Sequence, residues 1–506
     1  LAQQQFEQAL QLAQNGIQTY PIDANFYFFA AFCLGNLSQF AQAQAYQEKA
    51  VALEPKNQVY HFNAAVYASQ SGHPDGELRA MLHYQNALRI NPDYVDVLWN
   101  YGEHLRLAGH IQMAIDCFER LLALGKPFPK IYNRLAAAYE CLGQTDKTDE
   151  MYDILLQDPT DTIANWGYAT TNLARENMVL GWQYYNKRFE CSWLNNAYHY
   201  AFDLPFWDGV LQPNMTLLIH GEQGLGDEMM FASTFNELIA EAKAVNASII
   251  IGCKAPLARL FQVSFPDAQV FIHSYDNPMN IEGLNINAHL PMGHLIERYR
   301  KSLTDFYAHQ TPYLHADATR TAYYNERIIQ KGRESVDGKR RLRVGLMWGT
   351  VSTETVSRFV LSANRRSIAL PLFAPLADFI DDVEFISLQN HERGAEAALL
   401  PQLQMIDFSL DQADFYDTAA LIQNLDVVIS VDTSVAHLAG GLGAECWEPL
   451  MVRPDWRHGL TRETSYWYNN TRYFRQTIVD DWSDVIAQLH ATLAQRVKQH
   501  PHPSPQ

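Results

Sequence analysis

The chain is short of paired cysteines, of long apolar runs and of positive charge, and each shortage removes a class of function. Its six cysteines (Cys33, Cys117, Cys141, Cys191, Cys253 and Cys446) lie far apart and no CxxC pair occurs. That argues against a disulfide framework and reads as buried, reduced thiols of a cytoplasmic protein. No apolar run approaches the ~18 residues that cross a bilayer, so no transmembrane segment is expected. No signal peptide is visible, although the chain begins at Leu1 rather than Met, which leaves an upstream segment open. Lys and Arg number 38 against 56 Asp and Glu, a formal charge of −18. So acidic a chain is a poor partner for nucleic acid, because affinity for phosphate backbones comes from clustered basic residues. What remains is globular: 47% apolar and 19% charged residues in 506, too long for one core and suited to two or three domains.

The first third repeats. Tyr20-Pro21-Ile22-Asp23, Glu54-Pro55-Lys56-Asn57, Asn91-Pro92-Asp93-Tyr94 and Asp158-Pro159-Thr160-Asp161 place proline in similar contexts. The first two prolines are 34 residues apart. The next interval is 37 and holds the insertion-like Gly72-His73-Pro74-Asp75-Gly76, and Pro92 to Pro159 is about two further periods. Within a period the pattern is helix, turn, helix: Leu98, Tyr101, Leu105 and Ala108 recur at helical spacing, Gly109 supplies a left-handed stop, and Ile111, Ala114, Ile115, Phe118 and Leu122 form a second stripe. Ala64, Ala65, Ala136, Ala137 and Ala138 are small enough for close helix approach. Residues 1–175 resemble tetratricopeptide (TPR) repeats, which implies an α-solenoid whose groove binds a protein or peptide. Tyr27, Tyr60 and Trp99 are either groove or core residues. Residues 176–212 read as a linker: a helix through Gly181-Trp182-Gln183-Tyr184-Tyr185, then the aromatic loop Leu204-Pro205-Phe206-Trp207-Asp208-Gly209.

After Pro213 the period changes. Met215 to His220 suits a buried parallel strand, a glycine loop follows, and a helix fits Glu228 to Ala244. Ser248–Gly252 and Gln269–His273 are further strands, with Pro256–Phe265 as the helix between them. A second series runs from Arg343-Val344-Gly345-Leu346-Met347-Trp348-Gly349 through strands at Glu384–Leu388 and Val427–Val431 and helices at Pro371–Ile380, Tyr416–Gln423 and Val435–Gly440. Alternation of this kind predicts two doubly wound, Rossmann-like lobes, 213–330 and 331–495, with a hinge linker in Lys331–Arg343 and a disordered tail at 496–506.

Two segments carry the chemistry. His220-Gly221-Glu222-Gln223-Gly224-Leu225-Gly226-Asp227-Glu228 puts a glycine loop between strand and helix, where backbone N–H groups and the positive helix end face a ligand. Val431-Asp432-Thr433-Ser434-Val435-Ala436-His437 closes a strand and opens a helix with good N-cap residues. Taken with Val344–Trp348, Arg365-Arg366-Ser367-Ile368, Ser387-Leu388-Gln389, Pro454-Asp455-Trp456-Arg457 and Tyr473-Phe474-Arg475-Gln476, they resemble the glycosyltransferase family that includes bacterial heptosyltransferases, especially its TPR-fused members, over about residues 180–495.

The resemblance implies a GT-B fold behind the TPR solenoid, and a nucleotide sugar as co-substrate with no other cofactor. Asp227 matches the proposed general base; its alternative role is a helix N-cap, and Glu222 and Glu228 are the substitutes. Gly224, Gly226, Trp348, Arg365, Arg366, Gln389, Asp432, Thr433, Ser434 and His437 match donor-binding positions, with Arg365 or Arg366 beside the phosphates. No Asp-x-Asp pair is present, and the family implies metal-free inversion, so no metal ligand is assigned. The chain departs from the family at His458-Gly459, where the family usually has an aromatic after Asp-Trp-Arg, at the acidic Gly443-Ala444-Glu445-Cys446-Trp447-Glu448, and at Ser434, where it often has Gly. The expected function is transfer of a sugar to a protein recruited by the repeats, flagellin Ser or Thr being one acceptor. A glycan-extending enzyme and a non-catalytic TPR scaffold stand as alternatives.

Overall fold

A computed structural model describes residues 2–126, 130–191, 202–274, 278–333, 340–350, 365–389 and 391–500. The hinge reading at 331–343 and the tail reading at 496–506 fall partly outside these residues. The chain divides into two compact units, Leu1–Asp158 and Pro159–Gln506.

The first unit is a TPR-like run of helices: α1 (Ala2–Thr19), α2 (Ala24–Asn36), α3 (Phe40–Leu53), α4 (Gln58–Gln70), α5 (Gly76–Ile90), α6 (Val95–Leu107), α7 (Ile111–Ala123), α8 (Ile131–Cys141) and α9 (Thr145–Leu155). α2 packs with α3, α4 with α5, α6 with α7 and α8 with α9. The recurring proline has a local cause. It lies two residues before the next N-cap, and after Pro21, Pro55 and Pro159 a capping side chain starts the next helix. Asp23 accepts from the Asn25 N–H, and Asn57 from the N–H groups of Val59 and Tyr60. Gly109 and Gly143 leave their helices at φ 85° and 66°, the left-handed conformation glycine adopts without a Cβ clash. Small residues let the helices close up: Ala64, Ala65, Ala136 and Ala138 are buried, and a Cβ on Gly102 would lie 2.6 Å from the Phe118 ring. Ala137 is exposed and takes no part. Tyr60 is a core residue, its hydroxyl bonded to Asn25 at 3.0 Å.

The second unit opens with another helix pair, α10 (Thr162–Ala174) and α11 (Met178–Tyr185). Asp161, two residues after Pro159, caps α10 through the N–H groups of Ile163 and Ala164. Ala169, Leu173, Trp182 and Tyr185 belong to the same hydrophobic core as the sheets, so the repeat pattern continues in sequence while these helices serve the second unit. Two parallel sheets follow. The first, β1 (Thr216–His220), β2 (Ser248–Cys253), β3 (Gln269–Ile272) and β4 (Ala288–Pro291), has the order β3-β2-β1-β4. The second comprises β5 (Leu342–Met347), β6 (Val383–Ser387), β7 (Ile406–Asp407), β8 (Val427–Ser430), β9 (Cys446–Leu450) and β10 (Thr471–Arg475), in the order β10-β9-β8-β5-β6-β7. Every ladder in both is parallel. The expected strands appear within one or two residues. β4, β7, β9 and β10 lie outside the expected strands. The helix expected over 228–244 begins at Leu225, breaks into a 3-10 turn at Ala232–Thr234 and resumes as Phe235–Ala244.

Chain order reverses at β1/β4 and at β5/β8. At such a switch point the loops leave the carboxyl ends of neighbouring strands in opposite directions and open a crevice for ligands. One continuous core runs from the first sheet to one face of the second, and a separate cluster fills the other face around Trp348, Phe373, Trp447 and Trp482. Polar links reinforce the contact between the two sheets' layers. Arg259 grips Asp414 at 2.7 and 2.8 Å and Asp417 at 3.1 Å, and the Tyr313 N–H donates to the Gly441 carbonyl at 3.0 Å.

Candidate functional site

The glycine loop leaves β1 and enters the helix Leu225–Phe231; the Asp432 motif leaves β8 and enters the helix Ser434–Gly441. These two helices touch. A Cβ on Gly226 would lie 2.7 Å from His437 Cδ2 and 3.4 Å from Ser434 Cα, so only glycine allows this approach. The two motifs therefore lie side by side, although 206 residues separate Gly226 from Asp432.

Asp227 occupies the third position of its helix. Its Oδ2 accepts from the Gly224 N–H at 2.8 Å, which makes it a helix cap. Its Oδ1 is ion-paired with Arg457 from the turn Trp456–His458. Burial raises the Asp227 pKa above the usual carboxylate range, and Arg457 only partly offsets this. Arg457 also holds Asp455 at 2.5 Å and lies over the Trp456 ring at 4.6 Å.

On the other side, the Arg366 Nη1 donates to the Asp432 carbonyl at 3.3 Å and to its carboxylate at 3.4 Å. Burial alone would raise the Asp432 pKa. Arg366, His458, His437 and Arg457 outweigh it and hold the group down at about 2. Thr433 is the N-cap of its helix, accepting from the Val435 N–H at 3.2 Å and bonded to the Ser430 hydroxyl. His437 bonds the Tyr468 hydroxyl through Nδ1 at 3.0 Å, and burial, followed by the Arg457 charge, lowers its pKa to about 3. It is a neutral imidazole across the physiological range.

Several expected residues do not join this group. Trp348 is fully buried in the core with its indole N–H donated to Glu396 at 2.8 Å, so its ring offers a ligand nothing. Arg365 turns to Asp480 at 3.8 Å, away from Asp432. Gln389 is buried and accepts from the Gly349 N–H at 3.1 Å, shaping the loop after β5. The substitutes for Asp227 are also committed elsewhere. Glu222 is buried in an ion pair with Arg188. Glu228 is buried against Lys254 at 2.9 Å, and burial raises its pKa to about 7 despite that lysine.

Sequence reasoning gave no role to Arg457, although the Asp455-Trp456-Arg457 motif was visible. It also treated Glu448 and His458 as unrelated departures. They are a pair: His458 Nε2 and Glu448 Oε1 are 3.0 Å apart and buried. Burial opposes charge on His458, but Glu448 and Asp432 outweigh it and raise the imidazole's pKa. Asp432, Glu448 and His458 bring one ligand atom each within 4.8 Å of one another, the group among the described residues able to hold a cation. Protonated His458 and the Arg366 guanidinium supply positive charge there from the chain itself.

In the first unit, Phe29, Asn63, Asn100 and Arg134 hold equivalent places in the first helix of successive pairs, 34, 37 and 34 residues apart. Asn63 and Asn100 adopt the same arrangement, each amide donating to the carbonyl four residues earlier at 2.9 and 2.8 Å. Phe29 and Phe32 are exposed.

No protein-family model matches the chain. It is similar to Protein FlbA of Caulobacter vibrioides (strain ATCC 19089 / CIP 103742 / CB 15), with 26% identity over 431 residues, covering 80% of this chain and 68% of that protein. Among solved structures, MamA is 18% identical and covers 30% of this chain and 87% of its own at a TM-score of 0.28. YrrB, described as a TPR protein with an unusual peptide-binding site, is 18% identical over 36% of this chain and 93% of its own at 0.32. A thermophilic TPR protein of Thermus thermophilus is 22% identical over 34% of this chain and 93% of its own at 0.26. No described helix is long and apolar enough to cross a membrane.

Proposed function

We propose that the chain is a nucleotide-sugar-dependent glycosyltransferase of GT-B type whose TPR-like unit recruits a protein acceptor. The observation that carries this reading is the meeting of Asp227 with Asp432, Arg366, Arg457 and His437 beside two parallel-sheet switch points. A carboxylate of raised pKa beside Arg457, with Arg366 on Asp432 of the other motif, suits displacement at a sugar–phosphate bond. Asp227 takes the proton of the acceptor hydroxyl. That oxygen bonds to the anomeric carbon from the face opposite the leaving group, and the carbon–oxygen bond to phosphate breaks. The nucleotide phosphate leaves with the electron pair, its charge met by arginine, and the anomeric centre inverts. The neutral His437 and the capped N-terminus of its helix face the donor without adding net charge. Positive side chains do the work that a metal does elsewhere.

The acceptor is a protein, with flagellin Ser or Thr the first to try on the strength of the family resemblance, and the reaction is placed in the cytoplasm. Asn63 and Asn100, with Phe29 and Phe32 exposed on the equivalent helix of the preceding pair, suit an extended peptide, amides to its backbone and rings to its side chains.

The test is a thermal-stability screen against nucleotides and nucleotide sugars, followed by intact-mass measurement of acceptor proteins. A donor at 100 times its Kd stabilises by about 2.7 kcal/mol. Asp227→Ala is expected to retain donor binding and abolish the mass increase. Stabilisation by no nucleotide, or full transfer by that variant, refutes the assignment.

A further inference from the structure

In the free protein both oxygens of the base proposed above are already engaged. Asp227 Oδ2 is bonded to the Gly224 N–H and Oδ1 is ion-paired with Arg457. A carboxylate paired with a guanidinium is a weak proton acceptor, so Asp227 becomes an effective base for an acceptor hydroxyl when Arg457 lets go. We propose that Arg457 exchanges partners during turnover, leaving Asp227 for the phosphate of the bound donor and so freeing the base only when a donor is present. This rests on the transferase reading and adds to it a role for Arg457 and an order of binding, donor before acceptor.

The surroundings of Arg457 suit such an exchange. Its side chain is 12% exposed, and that of Asp227 19%, so the pair borders solvent. The guanidinium is held by Asp227 and by Asp455, and its Cζ lies over the Trp456 ring at 4.6 Å. Losing Asp227 would therefore leave it guided by Asp455 and Trp456 rather than loose. Its Nε is buried with no hydrogen-bond partner among the described residues, and the same holds for Arg366 Nε. Two guanidinium groups that both bear on Asp432 and His437 thus each keep an unspent N–H donor. Phosphate is the ligand that uses such donors best, because its oxygens match the guanidinium fork and carry more charge than one carboxylate. A neutral sugar hydroxyl does not compete with Asp227 for Arg457.

The energetic consequence is specific. If Asp227 and a donor phosphate compete for Arg457, the two residues affect nucleotide binding with opposite sign. The experiment is isothermal titration calorimetry of CMP, UDP, GDP and ADP against the full chain and four variants: Asp227→Asn, Arg457→Gln, Arg457→Lys and the Asp227→Asn/Arg457→Gln double variant. Asp227→Asn keeps the cap to Gly224 and is expected to tighten the nucleotide that binds by about tenfold, the scale of one charge-assisted hydrogen bond net of solvent. Arg457→Gln is expected to weaken it by a similar factor, with partial recovery in Arg457→Lys. In the double variant the gain from Asp227→Asn should vanish, since there is no guanidinium left to release.

Unchanged or weaker binding by Asp227→Asn overturns the exchange. So does a gain that persists in the double variant, because it would then be simple relief of repulsion between carboxylate and phosphate. If Arg457→Gln fails to fold, as judged by circular dichroism, Asp227→Asn and Arg457→Lys still decide the sign. Failure of the wild-type chain to bind any of the four nucleotides refutes the transferase reading itself, and the exchange with it.

Discussion

Replacing Glu222 by Gln tests how firmly the glycine loop is anchored. Glu222 and Arg188 are each fully buried, and Glu222 accepts from Arg188 Nε at 2.7 Å, Arg188 Nη2 at 2.5 Å, the Gly293 N–H at 2.8 Å and Gln223 Nε2 at 3.3 Å. Glutamine keeps one acceptor and turns the other into a donor facing donors. It also leaves the guanidinium charge buried without a counter-charge. Breaking a buried pair from one side costs about 3–5 kcal/mol. Arg188 retains the Tyr185 carbonyl, Asn186 Oδ1 and His294 Nδ1 at 3.1–3.2 Å, so the lower end, about 3 kcal/mol, is expected. Urea unfolding followed by tryptophan fluorescence is the appropriate assay, because nine of the ten tryptophans lie beyond Asp158 and report the second unit. The double variant Arg188→Met/Glu222→Leu should be destabilised by less than the sum of the single changes, since it removes charge from both sides. A loss below about 1 kcal/mol in Glu222→Gln, or strict additivity in the double variant, refutes the view that this pair pins the loop.

Gly226→Ala is expected to cost about 1–3 kcal/mol by overpacking on His437 and to weaken nucleotide stabilisation in the same thermal screen. Thr433→Ala should cost about 1 kcal/mol, the worth of a helix N-cap, in urea unfolding. The acid limb of the rate profile should lie above an ordinary aspartate, because burial raises the Asp227 pKa and a base works only when deprotonated; Arg457→Gln should move that limb further up. Stability should fall on mild acidification. Burial holds His220, His289 and His294 below their usual pKa and His273 at about 4, so the stability they contribute is complete above ~6.5 and is lost as pH falls through the folded values. For His273 the span from 6.5 to about 4 is worth roughly 3 kcal/mol by pH 4, and His273→Asn, measured by urea unfolding at pH 7 and pH 4.5, should flatten the dependence.

How much was legible in the sequence follows from the range of the interactions involved. The repeat period, the prolines two residues before Asp23, Asn57, Tyr94 and Asp161, the left-handed glycines and the strand–glycine loop–helix passages are decided within a few residues, and the chain alone determined them. β9 escaped because Glu448 and Pro449 are poor strand residues by local preference. In the fold Glu448 is neutralised by His458, and the ladder to β8 ends at Trp447, so Pro449 needs no bond on that side. β7 has two residues, too few for any periodic signal.

The composition of the site was beyond local reading. Arg365 and Arg366 are adjacent and chemically identical, yet one reaches Asp432 and the other Asp480. Trp348 passes for a ligand platform until the core closes over it. Asp227 finds Arg457 across 230 residues of chain, and Glu222 finds Arg188 behind the loop. Residue type and local order determined which groups were available for chemistry. Only the packing of the two sheets decided which of them meet, because ion-pair partners are chosen by proximity in space, and the charge each carboxylate bears depends on the burial and the counter-charge it finds there.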